Sequence, residues 1–130
     1  MSEPARILLA EDDRILRKAG EVALKKKGYT VVVAVDGEDA LEKAGTHELD
    51  LILLDVMMPK LDGFEVLTRL KQSPATRDVP VIMLSNLSQE ADVRRAIDGG
   101  ARGYLVKSNL GPEQLAAHVA DALAGRPPVG

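Results

Sequence analysis

Five short runs of aliphatic residues recur along the chain: "ARILLA", "TVVVAV", "LDLILLD", "VPVIMLS" and "RGYLVK". Each is apolar on consecutive rather than alternating positions, the pattern of strands covered on both faces in a parallel sheet. The segments between them carry helical spacing. Leu16, Gly20, Ala23 and Leu24 share one face that ends at Gly28, a C-cap signal. Asp36–Ala44 reads as a short second helix, and Gly63, Val66, Leu67 and Leu70 mark a third. Val93, Ala96 and Ile97 give a fourth, closed by Gly99 and Gly100. Leu115, Val119, Ala122 and Leu123 give a fifth, with Pro112 suited to its first turn. The expected fold is α/β: a doubly wound (βα)5 domain, with a five-stranded parallel sheet and helices on both faces. It is expected to occupy residues 1–124, followed by a tail at 125–130.

The 130 residues suffice for one such core, and with two Tyr, one Phe and no Trp that core must be aliphatic. The net charge is −3 and the only basic run is Lys25–Lys27. Direct nucleic-acid binding is therefore not expected, since it needs a basic face. Without Cys there are no disulfides and no thiolate metal sites. No run is long enough to span a membrane, and "MSEPAR" lacks a signal-peptide core, so the expectation is a soluble cytoplasmic domain.

In a parallel sheet every strand delivers its C-terminal end to the same edge, where such folds bind ligands. The first run ends in "AEDD" (Ala10–Asp13), the third in Asp55, the fourth in Ser85 and the fifth in Lys107. The sequence thus predicts carboxylates, a hydroxyl and an ammonium around one crevice. Crowded carboxylates repel unless a cation intervenes. Mg²⁺ suits this set, since it takes oxygen ligands, typically one or two carboxylates with waters and a phosphate oxygen. Three negatives from Glu11, Asp12 and Asp55 would balance Lys107 plus Mg²⁺, leaving room for a phosphoryl group. Asp55 is then either a metal ligand or a nucleophile that forms an acyl phosphate.

Other polar residues have simpler explanations. Asp13 and Asp62 are placed to N-cap the first and third helices. Ser85 alone would be a turn residue, and Lys107 alone a surface lysine. His47 and His118 have no partner His or Cys and read as solvated side chains; Met57 and Met58 read as packing residues.

The segments "ILLAEDD", "LILLDVMMPKLDGFEVL", "VPVIMLS" and "GARGYLVK" resemble, in order and spacing, the receiver domains of two-component response regulators, the CheY-like superfamily. The intervals of 30 residues from Asp55 to Ser85 and 52 from Asp55 to Lys107 fit that family. The resemblance covers Arg6 to about Leu123. It implies Asp55 as phospho-acceptor and Glu11 and Asp12 as the Mg²⁺-holding pair, with Asp12 direct and Glu11 acting through water. Asp55 and the Met57 backbone carbonyl would complete the protein ligands. It further implies Ser85 as the switch hydroxyl, Lys107 as the invariant lysine and Tyr104 as the aromatic switch.

The implied activity is phosphotransfer from a sensor histidine kinase or phosphotransfer protein, with the chain catalysing only its own phosphorylation and dephosphorylation. Ser85 would then move toward the phosphoryl group and Tyr104 would turn inward. The face formed by helix four, strand five and helix five would change shape for a downstream protein target. Small residues on the last helix (Ala116, Ala117, Ala120) allow a homodimer, and core packing explains them equally well. The expected protein is a stand-alone receiver; the alternatives are a fragment of a larger regulator or a constitutive binding scaffold. The scaffold would be expected to have lost Asp55, Asp12 or Lys107, and all three are present.

The sequence departs from the family in places. Relatives commonly carry a cis-bonded Pro after the lysine. Here Ser108 follows, and because a non-proline cis bond costs about 3 kcal/mol the Lys107–Ser108 bond is expected to be trans. Asn86 replaces a common Ala, narrowing the approach to the site. Met57 and Leu87, at the variable flanking positions, cannot orient water by hydrogen bonding, so slow self-dephosphorylation is expected. Two other uses of the architecture fit poorly. A haloacid-dehalogenase-type phosphatase wants a second Asp where Met57 stands. A flavodoxin-like cofactor domain would find its phosphate repelled by "EDD".

Overall fold

The computed structural model describes residues 3–87 and 89–125, so the expected tail at 125–130 lies, beyond Gly125, outside the described residues. The elements alternate as read: β1 (Arg6–Ala10), α1 (Arg14–Lys26), β2 (Thr30–Ala34), α2 (Gly37–Thr46), β3 (Leu51–Asp55), α3 (Gly63–Gln72), β4 (Val81–Ser85), α4 (Glu90–Asp98), β5 (Gly103–Val106) and α5 (Pro112–Leu123). All strand pairings are parallel, in the order β2-β1-β3-β4-β5. The doubly wound α/β fold is therefore the observed one.

Alternation along each strand sorts the core into two layers. Leu8, Ala10, Ile52, Leu54 and Met83 face Ala40, Val66, Leu67, Leu70 and Ala96 from α2, α3 and α4. Ile7, Leu9, Leu51, Leu53, Ile82 and Leu84 face Leu24, Leu115, Val119 and Ala122 from α1 and α5. Every residue of β3 and β4 is buried, and each such Leu, Ile or Val contributes roughly 1.5–3 kcal/mol by leaving water.

Helix ends follow local chemistry. Asp13 Oδ1 accepts the N–H groups of Ile15 and Leu16, and Asp62 Oδ1 accepts that of Glu65, so both are N-caps as expected. Asp36 caps α2 through the Asp39 N–H, and that helix runs two residues past its expected end. Gly28 follows α1 with φ +94°, the left-handed conformation a helix stop favours.

Four expectations about packing are corrected. The β2 and β5 runs are not covered on both faces: both are edge strands, and Val31–Val33, Tyr104 and Val106 are half-buried. Leu16 and Ile97 share helical spacing with buried residues but are exposed, because α1 and α4 each present a narrower stripe to the sheet. Met57 is 62% exposed and is not a packing residue, whereas Met58 is buried. His118 is not simply solvated: its Nδ1 is buried without a hydrogen-bond partner, while His47 is exposed. No described helix is long and apolar enough to cross a membrane.

Candidate functional site

The strand order reverses direction at β1, so the ends of β1 and β3 border the crevice where open α/β sheets hold ligands. Register then sets the site. Ala10 pairs with Leu54, which puts Glu11 beside Asp55, the next residue on each strand. Asp55 pairs with Leu84 and Ser85 with Val106, so Ser85 and Lys107 follow at the same edge. Glu11, Asp55 and Ser85 are buried, and Asp12 is exposed at the mouth.

Lys107 reaches back from the 3₁₀ turn Lys107–Asn109 between the two carboxylates. Its Nζ lies 2.6 Å from Glu11 Oε1 and 3.0 Å from Asp55 Oδ2. The other Asp55 oxygen, Oδ1, accepts the Met57 N–H at 3.2 Å. Burial, reinforced by the adjacent Glu11, pushes the Asp55 carboxyl up to about 7 despite the opposing pull of Lys107. Burial alone would lower Lys107, but Glu11 and Asp55 together hold its ammonium above the ordinary lysine value. Carboxylate oxygens of Glu11, Asp12 and Asp55 lie within 4.8 Å of one another, a group that could hold a metal ion. An all-oxygen set of this kind fits a hard divalent cation.

Ser85 and Tyr104 both bond to the backbone of Leu87. Ser85 Oγ accepts the Leu87 N–H at 2.9 Å, and the Tyr104 hydroxyl donates to the Leu87 carbonyl at 2.7 Å. The turn role weighed for Ser85 is thus real, and Leu87 links it to the aromatic side chain. Among the described residues no peptide bond is cis, which agrees with the trans expectation at Lys107–Ser108.

The β3–α3 loop folds tightly over this edge. Lys60 has φ +71° and sits at the centre of a γ-turn closed by the Leu61 N–H on the Pro59 carbonyl. Its ammonium lies 3.5 Å from Asp36 and 3.7 Å from Glu38, tying the loop to α2. Gly63 crosses so close to β3 that an added Cβ would collide with the Asp55 carbonyl oxygen and lie 2.7 Å from Val56 Cα. A groove of about 500 Å³ opens beside the acids, lined by Asp12, Met57, Phe64, Leu87, Asp92 and Arg95 among others.

Glu11, Asp12, Asp55, Ser85 and Lys107 thus share one edge, as the strand-end reading expected. It missed Arg17, which holds the loop carrying the acidic pair, and the close approach of Gly63. A basic residue one helical turn past an N-cap is the signal for the first; a Gly directly after the Asp62 cap is the signal for the second.

Comparison with known proteins agrees. Residues 7–120 match the family described as the response regulator receiver domain. A gliding motility regulatory protein of Myxococcus xanthus is 49% identical over 111 residues, covering 85% of this chain and 14% of the relative. The DNA-binding dual master transcriptional regulator RpaA of Synechocystis is 41% identical over 111 residues, 85% of this chain and 46% of that protein. The chain thus spans less than half the length of either. The structure of Vibrio cholerae chemotaxis protein CheY4 superposes with a TM-score of 0.85 at 31% identity, covering 90% of this chain and 97% of that one. The chain belongs to the response regulator receiver domain family of two-component signalling, whose general function is to accept a phosphoryl group.

Proposed function

We propose that Asp55 is the phospho-acceptor and that the donor is the phosphohistidine of a sensor kinase or phosphotransfer protein. The observation that carries this reading is a buried carboxylate at a strand end, hydrogen-bonded to Lys107 and facing two further acids. An Asp55 oxygen forms the new P–O bond as the donor's P–N bond breaks, and the histidine ring leaves with a proton. Lys107 offsets the charge of the transferring group, the electrostatic role such transfers require. Glu11, Asp12, Asp55 and the Met57 carbonyl would hold Mg²⁺, which when bound neutralises charge on the carboxylates and phosphoryl oxygens. The chain acts on itself only.

Acyl phosphate formation adds charge beside Ser85. The Ser85 hydroxyl can then turn to donate to a phosphoryl oxygen and release the Leu87 N–H, which loosens the residue whose carbonyl holds Tyr104. In α4 only Ala96 is buried, so that helix is lightly anchored and suited to moving. The α4-β5-α5 face is accordingly the proposed surface for a downstream protein, with cytoplasmic signalling as the setting. Incubation with a phosphorylated histidine donor and Mg²⁺ tests this: the expected outcome is a mass gain of one phosphoryl group that hydroxylamine removes.

A further inference from the structure

We propose that Arg17 is a positioning residue for the cation site: it fixes the backbone from which Glu11 and Asp12 project. The inference rests on the receiver reading and goes beyond it, since Arg17 touches neither the acceptor nor any carboxylate of the site.

The β1 ladder ends at Ala10, whose partners are Leu54 and Ala34. The Glu11 N–H still bonds back to the Ala34 carbonyl at 3.1 Å, but the Glu11 and Asp12 carbonyls lie beyond the last register pair. Arg17, half-buried in the second turn of α1, reaches back over them. Its Nη1 donates to the Glu11 carbonyl at 2.9 Å and to the Asp12 carbonyl at 3.2 Å. One guanidinium nitrogen thus bridges two successive peptides of the acidic pair.

The bridge closes a ring of bonds. Glu11 Oε2 accepts the Asp13 N–H at 3.1 Å, Asp13 Oδ1 caps α1, and the Arg17 N–H donates to the Asp13 carbonyl at 2.9 Å. The base of the Arg17 side chain is therefore anchored in the helix that Asp13 starts, and its tip returns to the residues just before Asp13. Rotation of the Glu11–Asp12 peptide would break the bond to the Glu11 carbonyl, and rotation of the Asp12–Asp13 peptide the bond to the Asp12 carbonyl, so one nitrogen restrains both. A cation needs carboxylate oxygens at set separations, and residues that orient ligands without touching the ion influence its affinity strongly.

Two effects of Arg17 on a cation have opposite signs. Its positive charge repels a divalent ion, so losing the charge alone would tighten binding. Losing the bridge loosens the ligands and weakens binding. Arg17→Met, which keeps the aliphatic stem and removes both charge and donors, separates the two by sign. Arg17→Lys keeps the charge but ends one bond short of the carbonyls, and it serves as a second variant least disturbing to folding.

The experiment titrates Mg²⁺ alone into wild type, Arg17→Met and Arg17→Lys by calorimetry, with urea unfolding of each metal-free protein alongside. The expected result is an affinity loss of about tenfold in both variants, the low end of the range for residues that orient metal ligands. Faster amide exchange at Asp13 is expected with it. A merely structural Arg17 would lower stability and leave the Mg²⁺ affinity of the folded protein unchanged. Wild-type or tighter binding in Arg17→Met, or, should that variant not fold, in Arg17→Lys, overturns the proposal. If wild type itself takes up no Mg²⁺, the cation-site reading falls together with this inference.

Discussion

Glu11 and Lys107 form the shortest ion pair among the described residues, 2.6 Å, and both side chains are largely withdrawn from water. The same ammonium holds Asp55, so one cation compensates two buried carboxyls. Removing it leaves both unpaired, and a buried charge without its partner is costly. Lys107→Met is expected to lower the unfolding free energy at pH 8 without Mg²⁺ by about 3 kcal/mol, with Glu11→Gln in the same background recovering much of it. Urea unfolding measures both; a loss within error would show that the ammonium compensates neither group.

The raised Asp55 carboxyl has a pH signature. Its folded value of about 7 exceeds the ordinary 3.8, so the folded state binds this proton more tightly than the unfolded chain. The associated stability is complete below about 3.8 and is lost as pH rises toward 7. Asp55→Asn removes that dependence. Between pH 5 and pH 8, without Mg²⁺, the variant should gain on wild type by on the order of 2 kcal/mol, since each tenfold difference in proton affinity is worth roughly 1.4 kcal/mol. Parallel stability–pH curves for the two proteins would contradict this.

Gly63 is placed by space rather than by backbone freedom. A Cβ there would strike the Asp55 carbonyl and the Val56 backbone, and backbone cannot move aside as a flexible side chain can. Gly63→Ala should destabilise by roughly 3 kcal/mol, in the range of forced overpacking, and slow phosphorylation by displacing Asp55. Thermal unfolding together with labelling rate tests it; a wild-type profile in both would show that α3 can shift freely.

Met57 and Leu87 flank the acids, 62% and 36% exposed, with no hydrogen-bonding side-chain group suited to orienting water. The phosphoryl bond should therefore persist. Replacing them as Met57→Asn with Leu87→Glu should speed loss of the label on the order of tenfold, a modest gain for positioned polar catalysis. The decay rate of labelled protein decides it, and an unchanged rate would remove any role for these side chains in hydrolysis.

Much of this architecture was legible because parallel strands with consecutive apolar residues leave few ways to fold. Once the strands are parallel, their last residues must share an edge, so Asp12, Asp55, Ser85 and Lys107 could be grouped before any distance was known. Periodicity was less informative where a helix lies lightly on the sheet: Leu16 and Ile97 repeat with buried neighbours yet face water. Nor does it reveal β2 as an edge, since strand order is set by the crossovers. The Lys60 turn was hidden for another reason: it depends on the path of a loop in three dimensions, which spacing along the chain does not encode.

Whether Asp55 receives the phosphoryl group decides the functional reading of every other residue at this edge. The deciding measurement is intact mass after incubation of wild type and Asp55→Asn with acetyl phosphate and Mg²⁺. One hydroxylamine-labile phosphoryl group is expected on wild type, none without Mg²⁺, and none on Asp55→Asn; equal labelling of the variant would contradict Asp55 as the acceptor.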